Sequence, residues 1–253
     1  EIEKFNPNLV LTGFDIGANL ATTIAAAHMN IPVAHIQGGE VTGTIDESIR
    51  HAMSKFAHIH FPATEDAKNR LIRLGENPKY VFNVGCPSID TIIQTPVIDR
   101  KILEMKFNVD FSKPVILLIQ HPVTSESSES KKQILKTINV IKGLGVQALV
   151  ALPNNDAGSS EIIEEIKKSG LSWYPSLSTK EFVNVYRNIW AIVGNSSSGI
   201  HESTTFGIPA VNIGTRQQDR ERATNVIDVD YDESEIRQGI EKALFDESFR
   251  QEA

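Results

Sequence analysis

The 253-residue chain has a single cysteine, Cys86. One thiol can form neither an internal disulfide nor a CxxC metal site, and this usage suits a reducing compartment, so a cytoplasmic location is expected. Long apolar runs are also missing. The longest, such as 115–119, fall far short of the roughly 20 residues a membrane helix needs, and no membrane partner is expected. The start of the chain lacks the charged, apolar and small-residue layout of a signal peptide. Basic charge is scarce: 25 Lys and Arg stand against 32 Asp and Glu, a net charge of −7, with no basic stripe to follow a phosphate backbone. Nucleic acid is therefore not an expected partner. Neither a repeat of fixed period nor a low-complexity tract occurs. What is present is an ordinary globular composition, 40% hydrophobic and 23% charged, far from the polar, highly charged chains that stay disordered.

Short apolar or β-branched runs alternate with amphipathic segments along the whole chain, the pattern of βα units and a parallel sheet. Strands are predicted at 9–12, 32–36, 58–61, 80–84, 114–119, 147–152, 171–174, 190–193, 210–213 and 226–229. Helices are predicted at 18–29, 45–55, 65–74, 130–142, 161–169, 180–187, 199–206 and 233–245. Ten strands are many for one sheet. The stretch 92–108 contains Pro96, has no strand pattern, and reads as a linker followed by a short helix. The expectation is an α/β chain of two Rossmann-like domains, 1–95 and 96–253, with a cleft at the carboxyl ends of the strands, where open parallel sheets bind ligands. Because the chain opens on Glu1 and soon enters the apolar run Leu9-Val10-Leu11, the N-terminal domain is expected to be incomplete.

Three segments combine chemistry-bearing residues with strand ends. In Gly194-Asn195-Ser196-Ser197-Ser198-Gly199 a predicted strand runs into a predicted helix. Backbone N–H groups at a helix start, together with serine hydroxyls, hold a phosphate or diphosphate without a lysine, and Glu202 lies in position to reach a ribose. The alternative is that Ser196 simply caps the helix. In His35-Ile36-Gln37-Gly38-Gly39-Glu40, followed by Asp46-Glu47 and Arg50-His51, carboxylates follow a strand end and are candidates for moving protons. Helix-dipole stabilisation alone also accounts for Asp46 and Glu47. In Gln120-His121-Pro122, the proline keeps a helix from starting, so His121 stays at the strand end as a phosphate donor, an acid–base group or a structural histidine. His58 and His60 alternate with apolar residues and read as structural. The turn-forming loop 153–159, with Asn154, is suited to reading a sugar or a base by hydrogen bonds. Asp228-Val229-Asp230 is too short an acidic pair to assign a metal, and none is assigned.

Taken together, Gly38-Gly39-Glu40, Gly43-Thr44-Ile45-Asp46, Ile49-Arg50-His51-Ala52, Gly85-Cys86-Pro87-Ser88-Ile89-Asp90, Gln120-His121-Pro122-Val123-Thr124, Pro153-Asn154, Gly194-Asn195-Ser196-Ser197 and Gly214-Thr215-Arg216-Gln217 resemble the hydrolysing UDP-N-acetylglucosamine 2-epimerases. That resemblance implies a B-type glycosyltransferase-like fold and a UDP-sugar substrate. It implies a homodimer or homotetramer, and no redox cofactor. The implied reaction eliminates UDP across C1 and C2 and hydrates the glycal to free N-acetylmannosamine, a precursor of sialic acid. Ser196 and Ser197 would hold the diphosphate and Glu202 the ribose, with His121, Asn154 and Arg216 lining the rest. The catalytic carboxylate positions fall on Asp15, Gln37 and Asp46. Two residues depart from the family pattern: Gln37, which cannot exchange a proton, stands where many members have an acid, and Ile16 stands where many have Arg. Glu40 is the candidate to supply the missing acid. Alternatives consistent with these departures are a non-hydrolysing epimerase, an epimerase of a UDP-diacetamido sugar, and a nucleotide-sugar binder with impaired turnover. A glycosyltransferase of the same architecture is a further one.

Overall fold

The computed structural model describes residues 2–13 and 15–253, and the chain divides into two compact units, Glu1–Asp90 and Thr91–Ala253. Each is an α/β layer structure built on its own parallel sheet.

The first unit has three strands, β1 (Val10–Gly13), β2 (Val33–Ile36) and β3 (Ile59–Phe61), in the order β1-β2-β3. Their register, with Thr12 beside His35 and His35 beside His60, puts all three carboxyl ends at one edge. Helices Gly17–His28, Ile45–Phe56 and Glu65–Arg73 connect and cover the strands. The latter two start where threonine supplies a cap: Thr44 accepts from the Asp46 N–H and Thr64 from the Ala67 N–H. Apolar side chains Ala26, Val33, Ala34, Met53, Ala67 and Leu71 form the buried interior.

The predicted strand at 80–84 does not form. Pro78 opens a 3-10 turn over Pro78–Tyr80, and only Val81 bridges to His60. Proline fixes φ and removes a donor, so the ladder cannot start, and Phe82 and Val84 stay exposed. The structure also adds a helix, Pro87–Gln94, before the predicted short helix, which spans Arg100–Phe107. Side chains of the second unit hold the intervening chain. Arg187 donates to the carbonyls of Ile92 and Thr95, and buried Asn184 pairs with Pro96 O and Ile98 N.

The second unit has six parallel strands: β4 (Val115–Ile119), β5 (Gln147–Ala151), β6 (Ser172–Tyr174), β7 (Ala191–Gly194), β8 (Ala210–Ile213) and β9 (Val226–Val229). Their order is β6-β5-β4-β7-β8-β9. Counted within the unit this is the doubly wound 3-2-1-4-5-6 arrangement, whose direction of winding reverses between β4 and β7. β4 shows why it occupies the middle. All five of its residues are buried; Ile116 and Leu118 pack under helices Ser130–Leu144, Ser159–Ser169 and Glu233–Phe245, whereas Val115, Leu117 and Ile119 join the opposite core with Leu103, Phe107, Val185 and Tyr186. A strand covered on both faces needs this continuous apolar run. Among the described residues no helix is long and apolar enough to cross a membrane, and no three His, Cys, Asp or Glu side chains gather as a metal site would require.

Candidate functional site

In the second unit the chemistry collects where the winding reverses. Loops leaving β4 and β7 diverge to opposite faces of the sheet there, and that divergence creates a crevice. Gly194 lets the two strand ends approach: its φ is +126°, and a Cβ on it would stand 2.0 Å from the Ile119 carbonyl oxygen. The Asn195 N–H then donates to that same oxygen at 3.1 Å.

Asn195 is fully buried and fastens the surrounding loops. Its Oδ1 accepts from the His121 N–H at 2.7 Å, and its Nδ2 donates to the His121 carbonyl at 2.9 Å. The backbone oxygen of Asn195 accepts from Arg216 Nη1 at 3.2 Å and from the buried Gln217 Nε2 at 3.0 Å. Tyr231 stands 3.4 Å from Asn195 Nδ2, and burial pushes its hydroxyl up to about 12, so it stays protonated. His121 Nδ1 accepts from the Asn154 N–H at 3.1 Å, which places the ring proton on Nε2 and leaves that nitrogen for a ligand. Burial, then the Arg216 charge, hold this imidazole down to about 4, so it is neutral near pH 7. It is a hydrogen-bond donor there, not a standing cation.

The serine segment differs from its predicted form. β7 does not pass straight into a helix; a 3-10 turn, Ser197–Gly199, intervenes, and the α-helix is the short Glu202–Phe206. Ser196 does cap this turn, accepting from the Ser198 N–H at 3.3 Å. The turn's carbonyls are tied back into the protein. Buried Tyr186 donates to Ser198 O at 2.9 Å, Ser203 to Gly199 O at 2.8 Å, and Thr204 to Ile200 O at 2.9 Å. With its oxygens engaged, the turn offers N–H and hydroxyl groups, the side an anion prefers. Glu202 opens the following helix, and its Oε2 is buried without a hydrogen-bond partner.

Beside this crevice, Asn212, Gly214, Thr215, Arg220, Arg222 and Asp228 line an open cavity of about 610 Å³, a size that suits a small molecule. Asp228 is not a metal ligand in waiting: Arg222 pairs with it and Asn212 donates to it.

In the first unit, Asp15 and Glu40 are brought together by one guanidinium. Buried Arg50 forms an ion pair with Asp15 and donates to the Glu40 carbonyl at 2.9 Å. Gln37 takes a left-handed φ of +58° just past β2, and its Nε2 donates to Cys86 Sγ at 3.1 Å. Asp46 lies in the first turn of its helix, half-buried, where the dipole favours a carboxylate. Glu47 accepts from the Thr42 N–H at 2.8 Å and so closes the loop before that helix. His58 and His60 serve the fold: His58 Nδ1 accepts from the Val33 N–H, and buried His60 lies 3.3 Å from Glu76.

Sequence reasoning placed His121, Asn154, Ser196, Ser197 and Arg216 at strand ends, and the second unit gathers them around one crevice. It passed over Asn195 as a site residue, although that residue stood inside the quoted motif. It also passed over Arg50 and Tyr231; for Tyr231, a lone aromatic after β9, the sequence carries no signal.

Three comparisons place the chain among known proteins. The profile of the UDP-N-acetylglucosamine 2-epimerase family matches residues 1–253. A UDP-N,N'-diacetylbacillosamine 2-epimerase (hydrolyzing) of Legionella pneumophila is 42% identical over 96% of this chain and 65% of its own length. A UDP-N-acetylglucosamine 2-epimerase of Neisseria meningitidis is 30% identical over 95% of this chain and 64% of its own, so the chain spans just under two thirds of these relatives. The crystal structure of a Neisseria meningitidis UDP-GlcNAc 2-epimerase bound to UDP-GlcNAc shares the fold, with a TM-score of 0.86 at 22% identity over all of this chain and 72% of that one. With its whole length matched by the family profile and its two parallel-sheet units matched by this fold, the chain belongs to the UDP-N-acetylglucosamine 2-epimerase family.

Proposed function

We propose that this protein is a hydrolysing 2-epimerase of a UDP-linked 2-acetamido sugar, releasing UDP and the free C2 epimer. The observation that carries the reading is the cluster at the winding reversal: Ser196, Ser197, His121 and Arg216 meet around buried Asn195. Departure of UDP moves an electron pair onto a phosphate oxygen as the C1–O bond breaks. Fixed donors lower that barrier most when they are in place beforehand. Here the Ser196–Ser197 turn, the His121 Nε2–H and the Arg216 guanidinium supply them, and Glu202 supplies an acceptor for ribose hydroxyls.

The other half of the chemistry is proton transfer. A base removes the C2 proton as UDP leaves, giving a C1–C2 double bond; water then adds its hydroxyl to C1 while a proton returns to C2 from the opposite face. Asp15, Glu40 and Asp46 are the carboxylates available for these steps, and Gln37 contributes an amide donor only. Arg50 holds Asp15 ionised, which suits a base. The relative at 42% identity, together with Gln37, favours a diacetamido sugar over UDP-N-acetylglucosamine as the substrate.

Incubation with UDP-N-acetylglucosamine and with UDP-N,N'-diacetylbacillosamine, followed by proton NMR, tests this directly. Release of UDP with a free-sugar anomeric signal is expected, faster with the diacetamido sugar. Turnover of neither, or an epimer still linked to UDP, overturns the hydrolytic assignment. Glu202→Ala is expected to weaken UDP about tenfold, the scale of one or two lost hydrogen bonds, while leaving pyrophosphate binding unchanged by calorimetry.

A further inference from the structure

Asn195 has a bonding pattern that only its own side chain can satisfy. Its carboxamide faces both backbone groups of His121, a donor and an acceptor, at 2.7 and 2.9 Å. An aspartate would meet the His121 carbonyl with a like-charged oxygen, an alanine would leave two buried backbone groups without partners, and glutamine is one methylene too long for a fully buried position. The two partners lie 74 residues apart in sequence, so this clamp is a tertiary device rather than part of a turn.

We propose that Asn195 is a positioning residue: its carboxamide sets His121 so that Nδ1 rests on the Asn154 N–H and the proton lies on Nε2, while its backbone oxygen independently sets Arg216. The proposal rests on the reading that His121 and Arg216 receive the leaving diphosphate. It separates the two arms by chemistry. The His121 arm runs through the side chain and is lost on truncation; the Arg216 arm runs through the main chain and survives it. The groups facing the His121 ring are known from each neighbouring element: Asn154 and Asp156 after β5, Arg216 after β8, and Asn195 itself, which also reaches Tyr231 after β9. Arg216 opposes protonation of the ring and Asp156 favours it, so the ring's behaviour depends on where it is held between them.

The test uses the protein labelled with 15N-histidine, read by long-range proton–nitrogen correlation from pH 4 to 8, with kcat, KM and UDP affinity measured alongside. The wild-type protein is expected to show His121 as the single Nε2-protonated tautomer, neutral down to about pH 4. Asn195→Ala should mix the tautomers, raise the midpoint by about one unit or more, and lower kcat roughly 100-fold as alignment is lost, with UDP affinity little changed. A folded Asn195→Ala protein that keeps the wild-type tautomer and midpoint, or that loses kcat and UDP affinity in parallel, overturns the proposal. Should that variant fail to fold, Asn195→Asp decides: its carboxylate is expected to raise the His121 midpoint, and an unmoved midpoint overturns the clamp. Absence of turnover in the wild type would sink the functional reading alone, because the tautomer measurement needs no substrate.

Discussion

Two histidines are held neutral by different surroundings, and pH should reveal both. His35, on β2 and 1% exposed, has its imidazole lowered to about 4 by burial, then by His60 and Arg50. His121 is lowered to about 4 by burial and Arg216. In each case the unfolded chain binds a proton near 6.5 that the native state refuses. Stability is therefore fully present above pH 6.5 and lost as pH falls toward 4, on the order of 3 kcal/mol for His35 at full expression. Urea unfolding at pH 7.5 and pH 5.0 should show the lower midpoint at pH 5.0, and His35→Asn should flatten the difference. An equal midpoint at both pH values would contradict this assignment. Gly194 is a second residue-scale case. Any side chain there meets the Ile119 carbonyl, so Gly194→Ala is expected to cost at least 3 kcal/mol or to prevent folding, measured by the same titration. At this scale the sequence disclosed residue types and strand ends. It could not disclose Asn195, whose partners come from β4 and from the loop after β8, because nothing local distinguishes a clamp from a turn-forming asparagine.

Elements were more legible than residues, for reasons visible in particular segments. The run Val115–Ile119 is apolar at every position and could only be a strand covered on both faces. Leu117→Ala, at its centre and fully buried, should destabilise the protein by about 3 kcal/mol without changing the urea dependence of unfolding, since it leaves a cavity in a sheet that cannot collapse. The segment 80–84 carries the same kind of composition, but Pro78 two residues upstream closes a 3-10 turn, and a β-former next to a proline has no ladder to join. Helix Pro87–Gln94 went unread for the converse reason. Its proline stands at the first position, where it costs nothing, and only Ile92 of its apolar residues is buried. The serine turn after β7 was legible as an anion site but not as a 3-10 turn, because its shape is set by Tyr186 and Ser203 pulling on its carbonyls.

For the molecule as a whole, two parallel α/β units were expected and are present, while the reaction is a matter for assay. UDP at a hundredfold excess over its dissociation constant should stabilise the native state by about 2.7 kcal/mol, read as a rise in Tm. Inorganic phosphate at equal concentration should give less, because it lacks the ribose that Glu202 is placed to receive. The strand order has a further consequence, for synthesis rather than catalysis. β4 must wait for β7 before its second edge is covered, since Ile116 pairs with Ala191. Translation at about 5–20 residues per second leaves Val115–Ile119 half-paired for seconds, a naked, aggregation-prone ribbon on every nascent chain. Ribosome-arrested chains that end before residue 191 should be bound by chaperones, and those that extend past β9 should be released.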